Sequence, residues 1–178
     1  MKKYILTTML FLIGMTAFAQ NPEYSGRPYL WQDKKLSDLE RIEAQFDTKS
    51  KALGYGGVDI LYTVFTDKSD IRFAKDKLPT FVIKVDKGID PAEAYVILKA
   101  TVKKKKRSFL VGSYAMGGKA KDTGEPKIKT TYKKLKDGIY EVILPNDIST
   151  GEFAFVPNST EGMSMGNKIK ITCFGIDE

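Results

Sequence analysis

Residues Ala94 to Tyr114 read "AYVILKATVKKKKRSFLVGSY", two runs rich in β-branched and aromatic residues on either side of five consecutive cations, Lys103, Lys104, Lys105, Lys106 and Arg107. Runs of this length and composition read as strands. Strands ending near Val102 and starting near Ser108 need a solvated turn between them, and a lysine cluster both solvates it and discourages edge-to-edge association. A hairpin with a basic tip is the first expectation.

The pattern recurs on both sides. "PTFVIKVD" precedes the hairpin, and "KIKTTYKK", "GIYEVILP", "EFAFVP" and "KIKITCFGI" follow it, so residues 78–178 hold seven candidate strands. Seven short strands at this spacing are what an all-β, immunoglobulin-like antiparallel β-sandwich requires. The connections carry their own turn chemistry. Asp90-Pro91-Ala92-Glu93 offers an N-cap, a proline at the first helical position and a glutamate for a capping box, which predicts one helical turn. Asp137-Gly138 between alternating runs predicts a tight hairpin. Upstream, "DILYTVFTD" (Asp59 to Asp67) follows the turn signal "GYGG" and can pair with "ERIEAQFDTKSKAL" as an extra N-terminal β-hairpin. A second reading stays open there, because Ser37 and Glu40 match a capping box and Leu39, Ile42 and Phe46 fit a helical face over Ser37 to Phe46.

The chain opens "MKKYILTTMLFLIGMTAFAQ", in which Lys2 and Lys3 precede an apolar run that closes on Ala17-Phe18-Ala19. This is the layout of a secretory signal peptide over residues 1–19. The run is shorter than the roughly 20 apolar residues of a spanning helix. Gln20 occupies the position where a lipid-anchored protein would carry cysteine. The expectation is an exported protein, periplasmic or extracellular, without a lipid anchor and with no transmembrane segment after cleavage. Residues 20–178 then form a single domain, with 20–77 as N-terminal segment and hairpin and 78–178 as the seven-strand core. Removing Lys2 and Lys3 from the formal +7 leaves +5, a balance that favours anionic surfaces. Histidine is absent, which excludes Ser-His-Asp and Cys-His catalysis and the commonest transition-metal ligand. Cys173 is the one cysteine, so no intramolecular disulfide forms; it alternates in phase with Ile169 and Ile171 and is expected in the core.

The segment "DISTGEFAF" (Asp147 to Phe155) resembles the corner of immunoglobulin-type domains, and "GIYEVILPNDISTGEFAF...KITCFGID" is similar to the C-terminal pattern of uncharacterised exported bacterial proteins with such sandwiches. The resemblance implies a sandwich fold and no catalytic residues. It departs at Phe153, which lacks the corner tyrosine's hydroxyl, and at Phe155, which stands in place of cysteine.

Few residues suggest chemistry. A phosphate-binding loop needs Gly-x4-Gly-Lys followed by Ser or Thr; from Gly112 the match fails at Gly118 and again at Ala120. The basic run contains no interleaved aromatics for base stacking, so nucleic acid is not expected. Asp67, Asp70 and Asp76 do not have calcium-loop spacing. Asp147 and Glu152 are an imaginable glycosidase pair, although with 22 acidic residues some pair always meets the distance. "NST" at Asn158 is a common tripeptide. More informative are Arg27 and the aromatics Tyr24, Tyr29 and Trp31 in "EYSGRPYLWQD", ahead of the first clear strand, which stack on sugars or anchor a partner if exposed and otherwise cover an open end of the fold. Residues Gly112 to Pro126, with Tyr114 and Met116, read as a long loop.

The leading expectation is a non-catalytic binding module of the bacterial envelope or secretome, without cofactor or metal. Its partner would be an anionic glycan, a lipid head group or an envelope protein, met through Lys103 to Arg107, Arg27, Tyr29 and Trp31. Two alternatives are a carboxylate-dependent hydrolase of envelope glycan and a structural subunit assembling by strand-edge pairing.

Overall fold

The computed structural model describes residues 21–51, 56–115, 117, 119–120, 127–158 and 167–178. The expected signal peptide, half of "GYGG", Met116, residues 121–126 of the Gly112 to Pro126 loop and the last two residues of "NST" lie outside the described residues.

The elements are β1 (Pro28–Gln32), β2 (Lys35–Asp38), β3 (Glu40–Ser50), β4 (Val58–Val64), β5 (Arg72–Ala74), β6 (Thr80–Lys84), a single helical turn α1 (Pro91–Ala94), β7 (Tyr95–Lys103), β8 (Lys106–Tyr114), β9 (Lys127–Ile128), β10 (Thr131–Lys136), β11 (Ile139–Ile143), β12 (Gly151–Pro157) and β13 (Lys168–Asp177). The all-β expectation holds, and the Ser37 to Phe46 segment is strand. Period two wins there because Ala44 and Phe46 point into a core while Glu43, Gln45 and Asp47 stay in water. The α1 turn is capped as its sequence predicts: the Asp90 carboxylate accepts from the Ala92 amide at 2.8 Å, and Pro91 opens the helix.

Pairing departs from two open sheets. Six antiparallel strands run β7-β8-β4-β3-β13-β12, and β12 pairs back onto β7 through Phe153↔Lys99 to Pro157↔Tyr95, so the sheet closes into a barrel. The hairpin β3–β4, expected as an addition to a sandwich, supplies two of its six staves. A second sheet, β10-β11-β6-β1-β2, packs against the wall formed by β7, β12 and β13. The short β5 runs parallel to β13 beyond Cys173, the residue that pairs with the first residue of β3.

Alternation along β12 builds two cores at once. Phe153 and Phe155 face the second sheet and meet Phe81, Phe174 and Ile83, while Ala154 and Val156 face the barrel interior with Ala44, Val64, Leu98, Ile171 and Cys173. The interlayer core is aromatic: Phe81 lies 4.9 Å from Phe174 and 5.1 Å from Phe155 between ring centroids, and Phe153 stacks on Phe174 at 5.4 Å. The barrel interior is narrow and takes smaller side chains around Phe46, Tyr62 and Phe109. Cys173 sits there fully buried, and burial pushes its thiol up to about 12.

Phe174 meets four aromatic rings, Phe73 on β5, Phe81 on β6 and Phe153 and Phe155 on β12, so its removal leaves a cavity in the interlayer core. We expect Phe174→Ala to lower unfolding free energy by about 3–5 kcal/mol, measured by chemical denaturation.

Candidate functional site

Lys103 and Lys106 close the β7–β8 ladder, leaving Lys104 and Lys105 as a two-residue turn. Both are left-handed, at φ 50° and 59°. A two-residue turn of this hand matches strand twist but favours Asn-Gly, because a side chain at positive φ is crowded by its own backbone. The β1–β2 turn has the same form at Asp33 and Lys34, with a tolerant aspartate first. Of these two turns the barrel-end hairpin alone puts lysine at both positions, so four exposed lysines, Lys103 to Lys106, crown the tip. Lys106 lies over the ring of Phe65 at 4.6 Å, and Phe65 is itself 56 % exposed.

Arg107 does not belong to this solvated cluster. It is 0 % exposed, because it alternates in phase with Phe109 and points into the barrel end. There its guanidinium binds both Glu40 oxygens, at 3.0 and 3.1 Å, donates to Thr66 Oγ1 at 2.8 Å and lies 3.5 Å from Glu152. Desolvation opposes its charge, yet the carboxylates around it hold its pKa above the ordinary arginine value. The chain of charges continues outward: Glu152 accepts from the Ser69 amide at 2.8 Å and from Arg72 at 2.5 Å, and Arg72 forks onto Asp177. Arg72 holds the Asp177 carboxyl below its usual range. Gly175 makes room for this, since a Cβ there would stand 2.5 Å from Arg72 Nη1. The network plugs one end of the barrel, and it removes Arg107 from the expected ligand residues.

The aromatic segment is likewise less exposed than expected. Tyr29 and Trp31 lie in β1, inside the second sheet between β2 and β6. Tyr29 is buried and Trp31 half-buried. Arg27 spans the rings of Tyr24 and Tyr29 at 5.8 and 5.4 Å and pairs with Asp38 at 2.8 Å. These contacts knit the segment to the sheet and leave Tyr24 as its exposed ring. The structure therefore does not bring Arg27, Tyr29 and Trp31 together with the lysine tip.

The imagined carboxylate pair is split: Glu152 is committed to two guanidinium groups, while Asp147 is exposed on the loop after β11. Asp67, Asp70 and Asp76 are exposed, and among the described residues no group of three or more His, Cys, Asp or Glu side chains is placed to hold a metal ion. What the sequence reading missed is a groove of about 440 Å³ on the outer barrel wall, with Leu61, Ala100 and Leu110 along it and Lys49, Lys99 and Lys103 around it, together with Asp59, whose carboxylate pairs with Lys51 at 2.7 Å. Lys103 is common to the tip and the groove, so one basic surface runs from the hairpin down the wall. Period two was the available signal: Lys99, Thr101 and Lys103 share the outward phase of β7.

Arg107→Ala should cost about 3–5 kcal/mol by leaving Glu40 without its buried cation and Glu152 with Arg72 alone. Replacing Lys104-Lys105 by Asn-Gly should instead raise stability by about 1–2 kcal/mol through relief of the left-handed turn. Both are read by urea unfolding. No family model matches this chain, and neither a curated protein nor a solved structure matches it.

Proposed function

We propose that this protein is an exported, non-catalytic binding module that uses the lysine-crowned barrel end to hold an anionic component of the bacterial envelope. The observation that carries the reading is the turn itself. Lys104 and Lys105 occupy backbone positions where a glycine or asparagine would cost less, and strain of this kind persists where the side chains are needed. Four lysines at the tip continue into Lys49 and Lys99 on the wall, a surface whose attraction for anions acts over about 8–10 Å at ordinary salt. The signal-like opening and the C-terminal resemblance support export.

Strand-edge assembly is the weaker reading. The open edges of the second sheet are β2, four residues long, and β10, which carries Lys133, Lys134 and Lys136. Short and lysine-rich edges resist pairing with another strand.

The test is equilibrium binding of purified protein to acidic glycans and anionic lipids at low and physiological salt, beside a variant with Lys103, Lys104, Lys105 and Lys106 changed to Gln. Wild-type binding that falls steeply with salt and weakens at least about a hundredfold in the variant is expected, at about 1 kcal/mol per lysine near an anionic surface. Equal binding by both proteins overturns the assignment.

A further inference from the structure

We infer that the basic barrel end docks on an anionic lipid surface, with Phe65 and Val102 entering the interface beside the lysines. The inference rests on the anion-binding reading and narrows its ligand. Strand register places the pieces. Val64, Arg107 and Val102 form one row across β4, β8 and β7, and Lys106 faces Lys103 in the next row toward the tip. Phe65 continues past Val64 in the same direction and meets the Lys106 ammonium. Phe65 and Val102 thus stand on either side of β8 at the barrel rim, Phe65 on the outward phase beside Lys106 and Val102 on the inward phase of Arg107, at the mouth of the barrel. Both are open to water, Phe65 at 56 % and Val102 at 48 %. Arg107 and Arg72 at this end are engaged by Glu40, Glu152 and Asp177, and the other acids there, Asp67, Asp70 and Glu178, lie outside the hairpin, where four consecutive lysines make the tip itself positive.

Exposed apolar side chains interleaved with ammonium groups on a convex tip fit one kind of partner. A soluble acidic glycan is satisfied by the lysines alone and has no use for Val102. Sugar stacking on Phe65 competes with Lys106, which already lies over that ring. The outer-wall groove, where a small anion would be enclosed, is not lined by Phe65 or Val102. A bilayer interface takes both chemistries together: ammonium groups at the phosphate level on long stems, and apolar side chains at the acyl boundary.

The experiment is sedimentation of the protein with vesicles of phosphatidylcholine, and of phosphatidylcholine mixed with phosphatidylglycerol, alongside binding to a soluble acidic polysaccharide. Three variants accompany wild type: the four-lysine Gln variant, Phe65→Ala with Val102→Ala, and Phe65→Cys carrying an environment-sensitive dye. Cys173 is buried, so the label goes to position 65 alone. Both apolar sites are exposed, and circular dichroism checks that the variants keep the fold. We expect binding to the anionic vesicles only, a loss of about tenfold on removing the two apolar side chains, and a blue shift of the dye on the vesicles. Polysaccharide binding by the Phe65/Val102 variant should match wild type. If that variant keeps full vesicle affinity and the dye does not shift, or if wild type binds polysaccharide but no vesicle, the lipid inference falls and the anion reading stands. If the lysine variant binds as wild type does, both fall.

Discussion

The ladder between β12 and β7 governs this molecule. Without it the strands β7-β8-β4-β3-β13-β12 would form an open sheet with a Phe- and Val-rich edge at β12, the arrangement most prone to wrong pairing. Pairing β12 to β7 removes that edge and wraps an interior small enough to be filled by Ala44, Ala154, Cys173 and a few larger side chains. It also obliges β12 to be apolar on both faces, since its outer face becomes the floor on which the second sheet sits.

Closure creates two barrel ends, and the lysine-bearing one is sealed by charge instead of by apolar packing. A buried arginine with paired carboxylates is seldom the most stable filling for such a space. Its geometry supplies direction: Arg107 ties β8 to β3 and β12, and Arg72 carries the tie to β13 through Glu152 and Asp177. The strands that carry the basic hairpin are thereby fixed against the rest of the wall. A rigid base matters for a tip whose cations are carried on long exposed side chains, because the entropy lost on binding is then confined to those side chains.

Much of this was legible from alternation, and the failures have physical causes. Seven strands of residues 78–178 and the β3–β4 hairpin follow from period two and turn chemistry, which are local. Which strand pairs with which is not local, and the barrel followed from tertiary contacts that no short window contains. One clue was present: "EFAFV" is apolar on both faces, as a strand covered on both sides must be. Arg107 was hidden by its company, since five adjacent cations look equivalent until their phase against Phe109 separates the inward one. Phe65 was legible in the same way, out of phase with Tyr62 and Val64. The strand that holds Tyr29 and Trp31 was not legible, because Pro28 and the surrounding glycine and charges disguise β1, whose burial comes from β6, some fifty residues later.

The last strand has a consequence for how the chain reaches its native state. β13 lies in the middle of the barrel wall, flanked by β12 and β3 and then by β5, and ends at the Asp177 clamp. No stretch of chain that lacks residues 168–177 can close the wall, so β3 and β4 wait for a partner that lies far along the sequence. Long-range pairing of this kind delays folding, because chain closure must precede the contacts that reward it. Closure of the barrel is consequently a late event of folding, and the inward faces of β3 and β12 acquire their shared neighbour only when it occurs.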